Sequence, residues 1–148
     1  MQNFDEPFWW TKRIDQLLEL SLKYGNALVY CKDAIIDKAE NLQSQSAFSN
    51  ILYAMKANFN LEILKIIANT GVGFECVSPG EINHLISIIP GLDKERILFT
   101  PNFAPKHDYI FALNRDISVT VDNIYPLLKW PEIFQKKDIF LRIDLDIG

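Results

Sequence analysis

The residue whose type and position could do covalent chemistry is Lys56, which ends the run Leu52-Tyr53-Ala54-Met55-Lys56. Strand alternation puts it on the same face as Leu52 and Ala54. That face is apolar and small, so the amine is expected to point into a partly desolvated cavity. Loss of hydration lowers an ammonium pKa from ~10.4 towards the ~7–8 at which a neutral amine is a useful nucleophile. Such an amine adds to an aldehyde and forms a Schiff base. Taken alone, the commoner reading is a solvated lysine at a strand end.

Other polar side chains gather at the ends of β-type runs. Ser78 and Glu81 follow one run, Thr100 and Asn102 the next, Asp122 and Asn123 the one after, and the last carries Arg142 and Asp144. Strand carboxyl ends are where α/β barrels keep their chemistry. Polar loops are also what any soluble α/β protein needs there, so the pattern alone leaves both readings open. His84, on a helical segment, and His107, in a Pro-Lys-His-Asp turn, are expected to face solvent. Gly71-Val72-Gly73 reads as a turn before a strand and not as a phosphate-binding fingerprint. Cys31 and Cys76 match no metal or redox spacing.

The elements that must position these residues alternate. β-type runs fall at 27–31, 50–56, 73–78, 96–100, 117–122 and 139–144, spaced so that each gap holds one helix and two turns. Two of the gaps carry helical stripes: Leu61, Leu64, Ile67 and Ala68 in one, Ile82, Leu85, Ile86 and Ile89 in the other. Asn60 suits the cap of the first of these helices, Thr70-Gly71 its end, and Pro79 the first turn of the second. Repeated strand–helix units imply a parallel sheet with right-handed crossovers, either doubly wound or a barrel. Residues 7–24 read as a separate amphipathic helix, with Phe8-Trp9-Trp10 as a packing anchor. The sequence stops four residues after its last run, with no closing helix or return strand, and so reads as a truncated unit with unpaired edges and poor solubility.

Composition narrows the function classes. The 148 residues are 49% hydrophobic and 23% charged, with a net charge of −4 from 15 basic and 19 acidic side chains. No basic block or basic-aromatic stripe invites nucleic acid. No apolar run approaches the ~18 residues of a membrane helix, and the start lacks the pattern of a signal peptide. A reduced, cytoplasmic setting is expected.

Motif order then supplies a family resemblance. Tyr53-Ala54-Met55-Lys56-Ala57-Asn58 resembles the cofactor-lysine motif of the fold-type III pyridoxal-phosphate (PLP) decarboxylases, which include the diaminopimelate, ornithine and arginine enzymes. Gly73-Phe74-Glu75-Cys76-Val77-Ser78-Pro79-Gly80-Glu81 falls where that family has Gly-x-Phe-Asp-x-x-Ser-x-Gly-Glu. The segments Ile97-Leu98-Phe99-Thr100-Pro101-Asn102, Val119-Thr120-Val121-Asp122-Asn123 and Leu141-Arg142-Ile143-Asp144 follow in order. Any one motif is weak, but five in order at family spacing are specific. The Lys-Ala-Asn form, with Leu-Phe-Thr-Pro-Asn-Phe-Ala-Pro and the Trp-Trp lead-in, is most similar to the diaminopimelate branch, in particular to the decarboxylase half of the bacterial kinase–decarboxylase fusions.

The resemblance implies a PLP-binding (β/α)8 barrel of which this chain holds about five strands. Residues 1–26 would be a lead-in helix and 27–148 the N-terminal portion of the barrel domain, the first run (27–31) belonging to its opening segment. Lys56 would hold PLP through a Schiff base. Glu75 would lie beside the cofactor with Arg142 as its ion-pair partner, and Ser78 and Glu81 would shape the pocket floor; fold maintenance is the alternative for these four. The implied reaction is loss of CO2 from an amino acid, meso-diaminopimelate giving L-lysine. The alternatives are a fragment acting on ornithine, arginine or a polyamine precursor, and a non-catalytic partial barrel from a decayed or split gene. The family's ring-stacking histidine, glycine-rich phosphate loop, pyridine-nitrogen acid and C-terminal β domain would all lie beyond Gly148, so this chain alone is expected to be inactive. Full-length relatives are expected to be homodimers.

Overall fold

The structure, a computed structural model, describes residues 8–143. Its centre is a five-stranded parallel sheet in the order β1 (Leu52–Ala54), β2 (Gly73–Cys76), β3 (Ile97–Phe99), β4 (Ser118–Val121), β5 (Ile139–Leu141). Sequential order with every pair parallel is the winding of a TIM-type barrel, in which each strand is followed by a helix that returns the chain to the same end of the sheet. Five of the six expected β runs are therefore strands, each shorter than expected. Asp144, expected to close the last run, lies outside the described residues, as does Pro7.

Alternation sorts the strand residues into two faces. On one, Phe74, Cys76, Ile97, Phe99, Val119 and Val121 are essentially inaccessible. Three helices cover them: α3 (Leu61–Asn69), α4 (Pro79–Ile88) and α5 (Lys106–Leu113). The apolar stripes do this as expected in α3, where Ile63, Leu64, Ile67 and Ala68 are buried; Leu61, at the helix start, is exposed. In α4 Ile82 and Leu85 are buried, whereas Ile86 is exposed. Asn60 caps α3, its side-chain oxygen accepting the Glu62 N–H at 3.0 Å, and Pro79 occupies the first turn of α4. Below α5, Tyr109 packs edge-on against Phe99 and Phe134, with α7 (Pro131–Phe134) following the short α6 (Tyr125–Lys129).

Two small details hold the sheet's amino end together. A Cβ on Gly73 would sit 2.5 Å from Leu52 Cδ2 and 2.7 Å from the Arg96 carbonyl oxygen, so only glycine lets β1, β2 and β3 approach this closely. Arg96 then donates from Nη2 to the carbonyls of Ala68 and Val72, both at 2.8 Å, tying the start of β3 to the end of α3 and the turn before β2.

The segment before β1 departs from expectation. Residues 27–31 form no strand: they run as extended chain, and Leu28 is 86% exposed. Among the described residues no neighbouring strand supplies the ladder bonds that a β run needs, and sequence propensity cannot create them. The 3₁₀ turn Trp9–Arg13 and α1 (Ile14–Tyr24) bury no side chain. Phe8 and Trp10 stack on each other at 5.6 Å, and both are exposed, so they do not anchor this segment to the core. An ion pair, Arg13–Asp33 at 3.3 Å, links it to α2 (Lys32–Gln43), whose Ile35 and Ala39 reach the core. No helix among the described residues is long and apolar enough to cross a membrane.

Candidate cofactor site

β1 ends at Ala54, and Met55–Ala57 form a 3₁₀ turn that carries Lys56 at the carboxyl end of the strand. The turn overrides the alternation argument. Met55 points into the core, where its sulfur meets Cys76 Sγ at 3.3 Å, and Lys56 is exposed to solvent. The desolvated cavity expected from the sequence is thus not formed by the described residues. The amine is instead accessible, and no salt bridge among those residues occupies it.

Glu75 stands one strand away. Register pairs Ala54 with Glu75, Glu75 with Leu98, and Leu98 with Ser118, so these four side chains share the face opposite the helices. The half-buried Glu75 carboxylate accepts a short hydrogen bond from the Thr100 hydroxyl. The Glu75–Arg142 ion pair expected from the sequence is not formed. Arg142 follows β5, three strands from β2, and its Nη1 donates to Asn102 Oδ1 at 3.2 Å. Asp122, after β4, accepts the Phe103 N–H at 3.2 Å and the Asn123 side-chain amide at 2.8 Å. The loops after β3, β4 and β5 are therefore laced together by side chains that the sequence placed at strand ends.

Ser78 and Glu81 take up a task that the sequence reading did not assign. Ser78 Oγ accepts the Glu81 N–H at 3.2 Å, and the Glu81 carboxylate reaches back to the Val77 N–H at 2.8 Å. This reciprocal capping satisfies donors at the start of α4 and fixes the loop after β2. The Ser-x-x-Glu spacing was the available signal. His84, exposed as expected, is nonetheless bonded: its Nε2 lies 3.0 Å from the Phe59 carbonyl oxygen, three residues after Lys56. His107 is exposed and pairs with its neighbour Asp108 at 3.1 Å.

Cys76 is no candidate nucleophile. Burial, then the nearby Glu81 and Glu75 charges, push its thiol up to about 12, so the thiolate is scarce at neutral pH. No cluster among the described residues could hold a metal ion. A cavity of about 390 Å³ lies at the opposite, amino end of the strands between Leu52, Leu98, Ser118 and Phe140. It is the open interior of the sheet and does not contain Lys56.

A primary amine that is accessible and, among the described residues, in no ion pair, with an oriented carboxylate on the adjoining strand, suits an aldehyde cofactor bearing a ring nitrogen or hydroxyl. Comparison with known proteins identifies the family. Residues 32–148 match the family described as pyridoxal-dependent decarboxylase, pyridoxal binding domain. The chain is 34% identical over 122 residues to a diaminopimelate decarboxylase of Methanothermobacter thermautotrophicus, covering 78% of this chain and 28% of that protein. It is 30% identical over 112 residues to an ornithine decarboxylase of Caenorhabditis elegans, covering 75% and 26%. The crystal structure of ornithine decarboxylase from Entamoeba histolytica superposes with a TM-score of 0.74 at 22% identity, covering 90% of this chain and 43% of that one, which shows the shared fold. The chain thus spans less than half the length of these relatives. It belongs to the pyridoxal-dependent decarboxylases, as part of their pyridoxal-binding barrel domain, whose cofactor is pyridoxal phosphate.

Proposed function

We propose that Lys56 is the cofactor lysine of an amino-acid decarboxylase acting on meso-diaminopimelate, releasing CO2 and L-lysine. The observation that carries this reading is an accessible amine at the carboxyl end of β1, one strand from a carboxylate already oriented by Thr100. PLP, when bound, supplies the electron sink that makes loss of CO2 feasible. The chain's own residues hold and aim it. Lys56 would hold its aldehyde end, and Glu75, bonded by the Thr100 hydroxyl, would face its polar groups. Ser78 and Glu81 act through α4, whose cap sets the height of the rim beside Glu75. Arg142 acts through Asn102, stiffening the loop after β3.

The diaminopimelate assignment is supported by the 34% identity to the archaeal enzyme and by the Lys-Ala-Asn wording after β1. An ornithine substrate is the second reading, favoured by the 30% identity to the nematode enzyme. The 148 residues by themselves should give no useful turnover, because Glu75 and its neighbours Ala54 and Leu98 are only half-buried.

The test is a titration of PLP against the native chain and Lys56→Ala, followed by competition with each amine substrate. The native chain should acquire the absorbance of a lysine-bound cofactor, and Lys56→Ala should not. Meso-diaminopimelate should release the cofactor from Lys56 at a lower concentration than L-ornithine does. Ornithine acting first would favour the second reading, and equal binding by Lys56→Ala would remove the basis of both.

A further inference from the structure

The backbone that carries Lys56 lies outside the sheet. β1 ends two residues before it, so no ladder bond fixes the 3₁₀ turn or the extended residues Asn58–Asn60 that lead into α3. Side chains do this instead. The Tyr53 hydroxyl donates to the Asn58 carbonyl at 3.2 Å, and Asn58 Oδ1 accepts the Asn60 N–H at 2.9 Å. The first ties the segment to β1 and the second is internal to it, while Met55, buried against Cys76, holds the start of the turn to β2. The far end of the segment is held to α4 by His84, whose Nε2 lies 3.0 Å from the Phe59 carbonyl and whose ring meets the Phe59 ring edge-on at 6.1 Å. A carbonyl only accepts, so His84 presents Nε2–H, which the neutral Nε2-protonated tautomer and the imidazolium both provide. α4, which bears His84, is anchored to the core by Ile82 and Leu85 and follows directly from the strand that carries Glu75.

We propose that His84 is a positioning residue: by gripping the Phe59 carbonyl it fixes the Lys56 turn against the β2–α4 unit and so sets the amine's place relative to Glu75. This rests on the reading of Lys56 as the cofactor lysine. His84 touches neither cofactor nor substrate; it restricts the turn so that the amine samples fewer unproductive positions.

The experiment follows two readouts in the native chain, His84→Ala, His84→Gln and Phe59→Leu. One is amide hydrogen exchange over residues 56–60 without any cofactor. The other is the rate at which PLP and borohydride fix a label on Lys56. Loss of one neutral hydrogen bond should raise exchange and slow labelling by about fivefold in His84→Ala. His84→Gln, whose amide can still donate to Phe59, should return both to near the native values. Phe59→Leu, which keeps the carbonyl and loses the ring, should behave like the native chain. Native exchange and labelling in His84→Ala would overturn the proposal, as would equal impairment of His84→Ala and His84→Gln. A native chain labelled elsewhere than Lys56 would instead defeat the cofactor reading, while the exchange data would still decide whether His84 grips the turn.

Discussion

The two faces of the one sheet differ in what their residues are asked to do. On the helix-covered face Phe74, Phe99, Val119 and Val121 are essentially inaccessible and make up the core. On the other, Glu75 and Leu98 are half-buried and Phe140 is 57% exposed, and the polar groups of the candidate site stand along its carboxyl rim. The difference teaches where each kind of substitution should register. Stability resides in the first face, and chemistry is arranged on the second at little cost to it.

The sharpest way to break that division is to truncate one aromatic on each face. Phe99→Ala should cost about 3–5 kcal/mol through lost burial and a cavity against Tyr109. Phe140→Ala should change stability by within about 0.5 kcal/mol, since most of that ring is already in water. Urea unfolding of both variants gives the comparison, and equal losses would mean that the open face is a second core.

A smaller effect is expected at the boundary between the faces. Ser78→Ala removes the cap of α4 and should cost about 1 kcal/mol. It should also slow labelling of Lys56, because α4 carries both the loop after β2 and His84. Unchanged labelling with reduced stability would confine Ser78 to the fold.

An effect that is nil at neutral pH belongs to the covered face. Burial, then the Asp122 and Asp108 charges, push the Tyr109 hydroxyl up to about 12, and Cys76 is raised from 9.0 to about 12. Both groups keep their protons in the folded chain at pH values where the unfolded chain has released them. Their contribution is therefore constant below about 9 and is lost as pH rises towards about 12. A Cys76→Ala, Tyr109→Phe double variant should show a shallower loss of stability over that window. Because the Tyr109 hydroxyl has no hydrogen-bond partner among the described residues, Tyr109→Phe alone should not destabilise at neutral pH.

The covered face was the more legible one in the sequence. Its strands are short apolar runs between helical stripes, and the cap Asn60 and the first-turn Pro79 stood where the helices begin, because such signals are local. Residues 27–31 misled for the opposite reason: the run has strand composition, but a strand exists only with a partner. On the open face, residue identity was legible and geometry was not. Lys56 could be singled out, but the 3₁₀ turn that exposes it breaks the period on which its orientation was inferred. Arg142 and Glu75 were both picked, yet they bond to Asn102 and Thr100, since pairing across three strands depends on sheet curvature. Gly73 was read only as part of a turn and His84 only as solvent-facing, because their roles are set by residues 21 or more positions away, Leu52 and Phe59 among them.

The account turns on one residue out of eleven lysines. Its most direct test is peptide mapping of the native chain after brief treatment with substoichiometric PLP and borohydride. The account predicts that the label concentrates on the peptide containing Lys56 and vanishes from it in Lys56→Arg without moving elsewhere. A label spread over the exposed lysines in proportion to their accessibility, unchanged by that substitution, would contradict it.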